Sequence, residues 1–348
     1  MKITINKKIS FSKDSRPFIV AEISGNHGGS KKIFLKHIKE AHKNGADIIK
    51  IQTYEPDDIT IKNLQSLTKI KSGIWKGKNL WQLYNKAQTP YSWHKDAFNL
   101  AKKLNILLFS TPFSIRALNF LKKFFSKIYK ISSFEITDFN LINEVAKTKK
   151  PIVISTGGSS LKEVRSAIKI IEKYHKKIIL MHCVSGYPTP ISEANINSIK
   201  FLQKNFKNYF IGLSDHTKSI DTSIGAISMG AKLIEKHFII SNKIKSEDRE
   251  FSISPADLKQ LKHYVINIHK SLGSYKKNIQ KVEKRNKFFR RSIYAVKDIK
   301  KGEKISKCNV ACFRPELGIS SNKYFDVLGK KAKLNIKKYK PLKKNYFY

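Results

Sequence analysis

Residues 211–238 read IGLSDHTKSIDTSIGAISMGAKLIEKHF: an apolar run ending at Asp215-His216, a helix-like interval, then a second apolar run ending at Lys236-His237. The interval has the length of one strand plus one helix, so each histidine stands where a strand runs out. Working outward from this stretch, the same unit recurs along the chain. Short apolar or β-branched runs fall at 17–23 (PFIVAEI), 46–52 (ADIIKIQ), 105–111 (NILLFST), 127–133 (KIYKISS), 151–157 (PIVISTG), 177–183 (KIILMHC), 209–215 (YFIGLSD) and 231–237 (AKLIEKH), each followed by helical periodicity. Eight such alternations predict an α/β protein built on a (β/α)8 TIM barrel.

Local signals agree with that reading. KKIFLKHIKEAHKNG places Ile33, Phe34, Ile38 and Ala41 on one helical face and stops at Gly45, while SLKEVRSAIKIIEKYH opens with a serine at a capping position. Residues 53–104 are longer than one connection needs, and SGIWKGKNLWQLYNKAQTPYSWHKDAF within them predicts a loop with extra helices over one mouth. Beyond residue 273 the pattern changes. We divide the chain into a barrel domain, 1–273, a basic linker, 274–289, and a small β-rich domain, 290–348, whose short β-like runs are broken by KKG and RPELG. A domain of that size is only marginally stable alone.

The chain has 348 residues, 41% of them hydrophobic, and no apolar run nears the roughly 20 residues of a membrane span. Its first residues alternate polar and apolar and show no signal-peptide pattern, so the expected location is cytoplasmic, with no membrane partner. Three cysteines cannot all pair, and Cys308 and Cys312 have no second Cys/His pair for zinc. The formal charge of +43 raises nucleic acid as a partner. The lysines are spread over nearly every helix and turn, however, and acidic residues stand in FEITD, LSDH and KSEDREF. We therefore expect no nucleic-acid partner; the field would attract small anions instead.

In a barrel, the C-terminal strand ends converge on one mouth. His216 and His237 are then neighbours, and two readings stay open: a site for a divalent metal, or a pair of hydrogen-bonded rings that binds nothing. The other strand ends bring Glu22, Lys50, Ser110 with Thr111, Lys130 with Ser133 and Glu135, Ser155 with Thr156, and Ser214. Ammonium and hydroxyl donors in that number suit a ligand bearing phosphate and carboxylate. Glu22 and Glu135 are candidates for general acid/base work or for binding substrate hydroxyls and amides, with structural hydrogen bonding the rival role. NHGG, 26–29, reads as a turn into the first helix, and YPTP, 187–190, stiffens the loop carrying Tyr187.

Taken in order, VAEISGNHGG, IIKIQTY, STPF, YKISSFE, ISTGG, YPTP, GLSDHT and EKHF, with RPELG beyond them, resemble the sialic acid synthase family over essentially the whole chain. The loop SGIWKGKNLWQLYNKAQTPYSWHKDAF and the segment KSEDREFS look like that family's pseudaminic acid synthase branch; its sialic acid and legionaminic acid synthases more often carry glycine-proline-aspartate where this chain has SED. The resemblance implies a TIM barrel followed by a domain similar to type III antifreeze proteins (SAF-like). It implies condensation of phosphoenolpyruvate with an N-acetylated amino sugar, assisted by Mn2+ or Mg2+, in a domain-swapped homodimer. Lys50, Thr111, Lys130, Ser133, Ser155 and Ser214 fall at phosphoenolpyruvate positions of the family, and His216 and His237 at its metal ligands. Glu22, Tyr187 and Asp248 fall at sugar-contacting positions, and Arg314 at the arginine inserted into a partner's mouth. Glu135 also matches a motif position. The branch implies 2,4-diacetamido-2,4,6-trideoxy-L-altrose as the sugar, with an N-acetylmannosamine-type sugar, as used by N-acetylneuraminate and legionaminate synthases, as the alternative. Two other classes compete: an aldolase using Lys50 or Lys130 as a Schiff base, and a basic nucleic-acid binder.

Overall fold

The computed structural model describes residues 2–64, 67–274 and 276–348. The chain forms two compact units, Met1–Gly273 and Ser274–Tyr348. The first opens with an antiparallel pair, β1 (Ile3–Thr4) and β2 (Ser10–Phe11), followed by the eight strands β3 (Phe18–Glu22), β4 (Ile48–Thr53), β5 (Leu107–Pro112), β6 (Tyr129–Ile131), β7 (Ile152–Ser155), β8 (Ile178–Cys183), β9 (Phe210–Asp215) and β10 (Leu233–His237). Those eight form a closed parallel barrel, sealed by β10 pairing with β3 from Leu233↔Phe18 to His237↔Glu22. All eight expected strands are present.

Between strands run α1 (Lys31–Lys43), α2 (Leu80–Ala87), α3 (Tyr91–Lys103), α4 (Ile115–Lys122), α5 (Phe139–Lys147), α6 (Leu161–Glu172), α7 (Ser198–Asn205) and α8 (Asp221–Ser228), with α9 (Pro255–Ser271) after the last strand. The predicted start of α6 is a capping box: the Ser160 side chain accepts from Glu163 N–H, and the Glu163 side chain reaches back to Ser160. Such a cap is worth about 1 kcal/mol. The buried face of α1 is Phe34, His37, Ile38 and Ala41; Ile33, read from the sequence as part of that face, is only half-buried. The long 53–104 connection holds α2 and α3, the extra helices expected there.

Side chains alternate along every barrel strand, and this alternation positions the site. Outward residues such as Ile19, Ala21, Ile49, Ile51, Ile152, Ile154 and Ile234 join the helices in one apolar cluster. Inward residues form a second: Phe18, Val20, Ile48, Phe109, Val153, Ile179, Met181, Phe210 and Leu233, together with Ile3, Ile5, Ile9 and Phe11 of the N-terminal hairpin. Phe11 is fully buried, with its ring 5.0 Å from Phe18 and 5.9 Å from Phe210. The hairpin thus stoppers the N-terminal end of the barrel, a role not read from the sequence. A Cβ at Gly212 would lie 2.5 Å from the Leu233 carbonyl, so only glycine fits that inward position.

The second unit contains α10 (Lys281–Arg285), the antiparallel pair β11 (Ser292–Ala295) and β12 (Val310–Phe313), and the short helix α11 (Tyr324–Val327). Its own core includes Ile293, Ile299, Ile305, Val310, Ile336 and Leu342.

Candidate active site

Continuing each inward row beyond its apolar residues gives Glu22, Lys50, Thr111, Lys130, Ser155, Cys183, Ser214, Glu235 and His237. The lower barrel is apolar, while the upper barrel carries charge. Lys50 Nζ lies 2.6 Å from Glu22 and 3.1 Å from Glu235, and Lys130 Nζ lies 2.9 Å from the other oxygen of Glu235. Ser214 donates to Glu235 at 3.1 Å. The two lysines and two glutamates are all nearly inaccessible to solvent. Burial works against the charge of Lys50, but Glu22 and Glu235 outweigh it and hold its pKa above the ordinary value. For Lys130 burial prevails, and its pKa is lowered. Glu235 is held well below the usual carboxylate range, since Lys130 and Lys50 overcome the cost of burial.

Around this chain of charges, Thr111 Oγ1 and Ser155 Oγ are buried without a hydrogen-bond partner. Native proteins satisfy almost every such group, so unpaired hydroxyls beside two ammonium groups mark a place for an oxygen-rich ligand. Ser133 accepts from Gly157 N–H at 3.1 Å and so ties the turn after β6 to the turn after β7. Glu135, in that first turn, is bonded to Ser132, and burial pushes its carboxyl up to about 7. Ser110 does not belong with these residues. It follows the outward Leu108 register, bonds Thr53 Oγ1 at 2.6 Å and the Ile51 carbonyl at 3.0 Å, and Thr53 in turn bonds His94 of α3 at 2.8 Å. Adjacent strand residues point to opposite faces, so of the two residues expected at the ligand only Thr111 faces the barrel interior, and Ser110 faces the helix layer.

Above the charges stand the two histidines, with ring centroids 5.4 Å apart. His216 Nδ1 lies 3.0 Å from the Val184 carbonyl; donating there places the lone pair on Nε2. Cys183 Sγ is 3.8 Å from the same nitrogen. His237 Nδ1 is buried and makes no hydrogen bond, although Asp248 Oδ2 approaches to 3.3 Å. Asp248 also accepts from Gly25 N–H at 3.1 Å, an approach that a Cβ at Gly25 would block at 2.5 Å. Asn26 fastens the same segment, donating to the Phe238 carbonyl at 3.0 Å and to Ser252 at 2.7 Å. Aromatic rings roof the pair: Tyr187 lies 4.4 Å from His216, and Phe251 4.7 Å from His237.

The residues fit a divalent cation in part. Two imidazoles, one with its tautomer set by a carbonyl and one with an unpaired nitrogen, are the donors such an ion takes, and Asp248 lies beside them. Among the described residues, no three His, Cys, Asp or Glu side chains converge as a ready-made cage. Substrate oxygens and water would have to complete the coordination. Arg314, in the second unit, is exposed and has no ion-pair partner among the described residues.

The sequence reading missed Glu235, Cys183 and the roof residue Phe251. The signal for the first two was available: Glu235 lies two residues before His237, and Cys183 follows Ile179 and Met181 on one inward face.

Pseudaminic acid synthase of Campylobacter jejuni is 41% identical over 94% of this chain and 96% of its own length. N,N'-diacetyllegionaminic acid synthase of the same species is 36% identical over 92% of this chain and 97% of its own. Among solved structures, N-acetylneuraminic acid synthetase from Leptospira borgpetersenii in complex with citrate superposes with a TM-score of 0.75 at 31% identity, covering 82% of this chain and 95% of that one. Residues 290–346 match the SAF domain. With residues 37–277 matching the NeuB family model, the chain belongs to the NeuB family.

Proposed function

We propose that the protein is a pseudaminic acid synthase, condensing phosphoenolpyruvate with 2,4-diacetamido-2,4,6-trideoxy-L-altrose to give pseudaminic acid and phosphate. The observation that carries this reading is the 41% identity to a pseudaminic acid synthase across 94% of the chain. The inward array of ammonium groups and unpaired hydroxyls supports it. Phosphoenolpyruvate carries a carboxylate and a phosphate on adjacent atoms, and Lys50, Lys130, Thr111, Ser155 and Ser214 offer donors to both. Glu22 and Glu235 hold Lys50, and Glu235 also holds Lys130, until the ligand displaces those contacts.

His216 and His237 would hold the divalent ion, Mn2+ or Mg2+, with substrate oxygens and water completing its coordination. When bound there, it supplies Lewis acidity to the open-chain sugar's aldehyde oxygen. The methylene carbon of phosphoenolpyruvate bonds to the aldehyde carbon, whose oxygen takes up a proton. Water adds to the former enol carbon and loses one proton; its second proton passes to the phosphate as the C–O bond to phosphate breaks and that carbon becomes the ketone. Glu135, half-protonated near neutrality, is suited to proton exchange at this mouth. The roof ring Tyr187 and the Asp248 carboxylate hold the sugar. Arg314 of a partner's small domain completes the acetamido subsite in a domain-swapped homodimer, and the enzyme works in the cytoplasm on a soluble precursor.

The second reading, a legionaminate synthase, is favoured by the 36% identity to such an enzyme over nearly the same span. Phosphate release from phosphoenolpyruvate separates the two. We expect release with the altrose sugar and Mn2+, none with N-acetylmannosamine, and loss on chelation. Release with a manno-configured diacetamido sugar alone supports the second reading, and release that survives chelation removes the metal.

A further inference from the structure

Residues 69–79 form a hairpin over the mouth. Lys69 and Asn79 pair as an antiparallel bridge, and Ile70 N–H donates to the Lys78 carbonyl at 2.9 Å. Gly73 and Gly77 take left-handed conformations (φ 80° and 88°) with open space around them. The hairpin is latched at one point: the Trp75 indole N–H donates to the Glu247 carbonyl at 3.0 Å, and Lys78 pairs with the Glu247 carboxylate. Glu247 directly precedes Asp248, the carboxylate beside His237.

Trp75 lies 5.5 Å from Tyr187 and 6.1 Å from Phe251, extending the roof over the imidazoles. Trp75 also lines a cavity of about 660 Å³ together with Gly25, Lys78 and Glu247. That space is ample for an amino sugar. A roof of indole, phenol and phenyl faces matches a sugar face of C–H and methyl groups and offers little to a hydroxyl.

We infer that Trp75 is a sugar-specificity residue of this site: its indole packs against the deoxygenated face of the sugar. This rests on the proposed synthase function. The protein discriminates a 6-deoxy sugar from its 6-hydroxy counterpart through that contact, by up to about 100-fold, the order an apolar pocket achieves against an added hydroxyl.

The test measures phosphate release by the full chain with 2,4-diacetamido-2,4,6-trideoxy-altrose and with the 6-hydroxy form of that sugar, for wild type, Trp75→Phe and Trp75→Ala. We expect Trp75→Ala to raise the sugar KM by about tenfold, leave the phosphoenolpyruvate KM within about twofold, and cut the 6-deoxy preference to about threefold; Trp75→Phe should retain most of the preference. Fluorescence supplies a second readout, because Trp75 is one of only three tryptophans. Sugar, but not phosphoenolpyruvate alone, should change wild-type emission, and Trp75→Phe should lose the change. A Trp75→Ala enzyme that keeps its 6-deoxy preference, or loses kcat at unchanged sugar KM, overturns the inference while leaving the synthase function standing. A wild type that releases phosphate with no sugar removes that function and this inference with it.

Discussion

Two ion-pair networks are buried on neighbouring strands, and one residue of register separates them. Glu235 points into the barrel and meets Lys50, Lys130 and Ser214. Asp215 and Lys236 point outward into the helix layer, where Lys236 lies 3.3 Å from the carboxylate. Asp215 is saturated: Thr217 N–H, Thr217 Oγ1, Thr222 Oγ1 and Ser223 Oγ all bond it within 2.9 Å, and Lys236 reaches on to the Thr217 carbonyl. The inner network leaves Thr111 and Ser155 with nothing to bond. Burial and charge are common to the two networks; unpaired hydroxyls accompany only the inner one.

The sharpest way to break this comparison is Lys130→Met. We expect kcat/KM for phosphoenolpyruvate to fall by about 10³-fold or more, the scale of losing one member of a buried charged set, with an unchanged circular dichroism spectrum. Asp215→Asn should do the reverse: leaving Lys236 buried without a counter-charge costs about 3 to 5 kcal/mol in stability, read from urea titration, while low-temperature activity stays within about tenfold of wild type. The adjacent pair on β5 sharpens the point. Thr111→Val should raise the phosphoenolpyruvate KM by about 10- to 100-fold, as for a lost hydrogen bond to a charged group, whereas Ser110→Ala should leave kinetics alone and lower stability by about 1 kcal/mol. If Ser110→Ala proves the more damaging to KM, the register assignment is wrong. The smallest effect concerns Glu135. Its carboxyl is held at about 7 instead of 4.5 by burial, so the folded protein keeps a proton that the unfolded chain has released across that window. Stability then declines as pH rises from about 4.5 to 7. Glu135→Gln should flatten that decline and remove the limb near pH 7 from the kcat/KM profile.

Much of the barrel was legible because each strand is a short apolar run bracketed by helical periodicity, and strand ends such as Glu22, Lys50 and His237 follow from the architecture. Facing was less legible, although the period-two rule contained it: reading outward from the apolar Phe109 and Leu108 assigns Thr111 and Ser110 to opposite sides. Loop positions were not available at all. That Trp75 rests near Tyr187, or that Asp248 meets Gly25, depends on where two long connections fold back, and local periodicity carries no information about that.

The N-terminal hairpin has a kinetic consequence. With Ile3, Ile5, Ile9 and Phe11 filling the lower barrel, the interior is a blind shaft with a single opening. A ligand held at Lys130 lies deeper than one held at the histidine pair, so the deeper one enters first and leaves last. Ordered addition, the deeper ligand first, is the outcome expected of that closed end, and initial-rate kinetics with both ligands varied would check it.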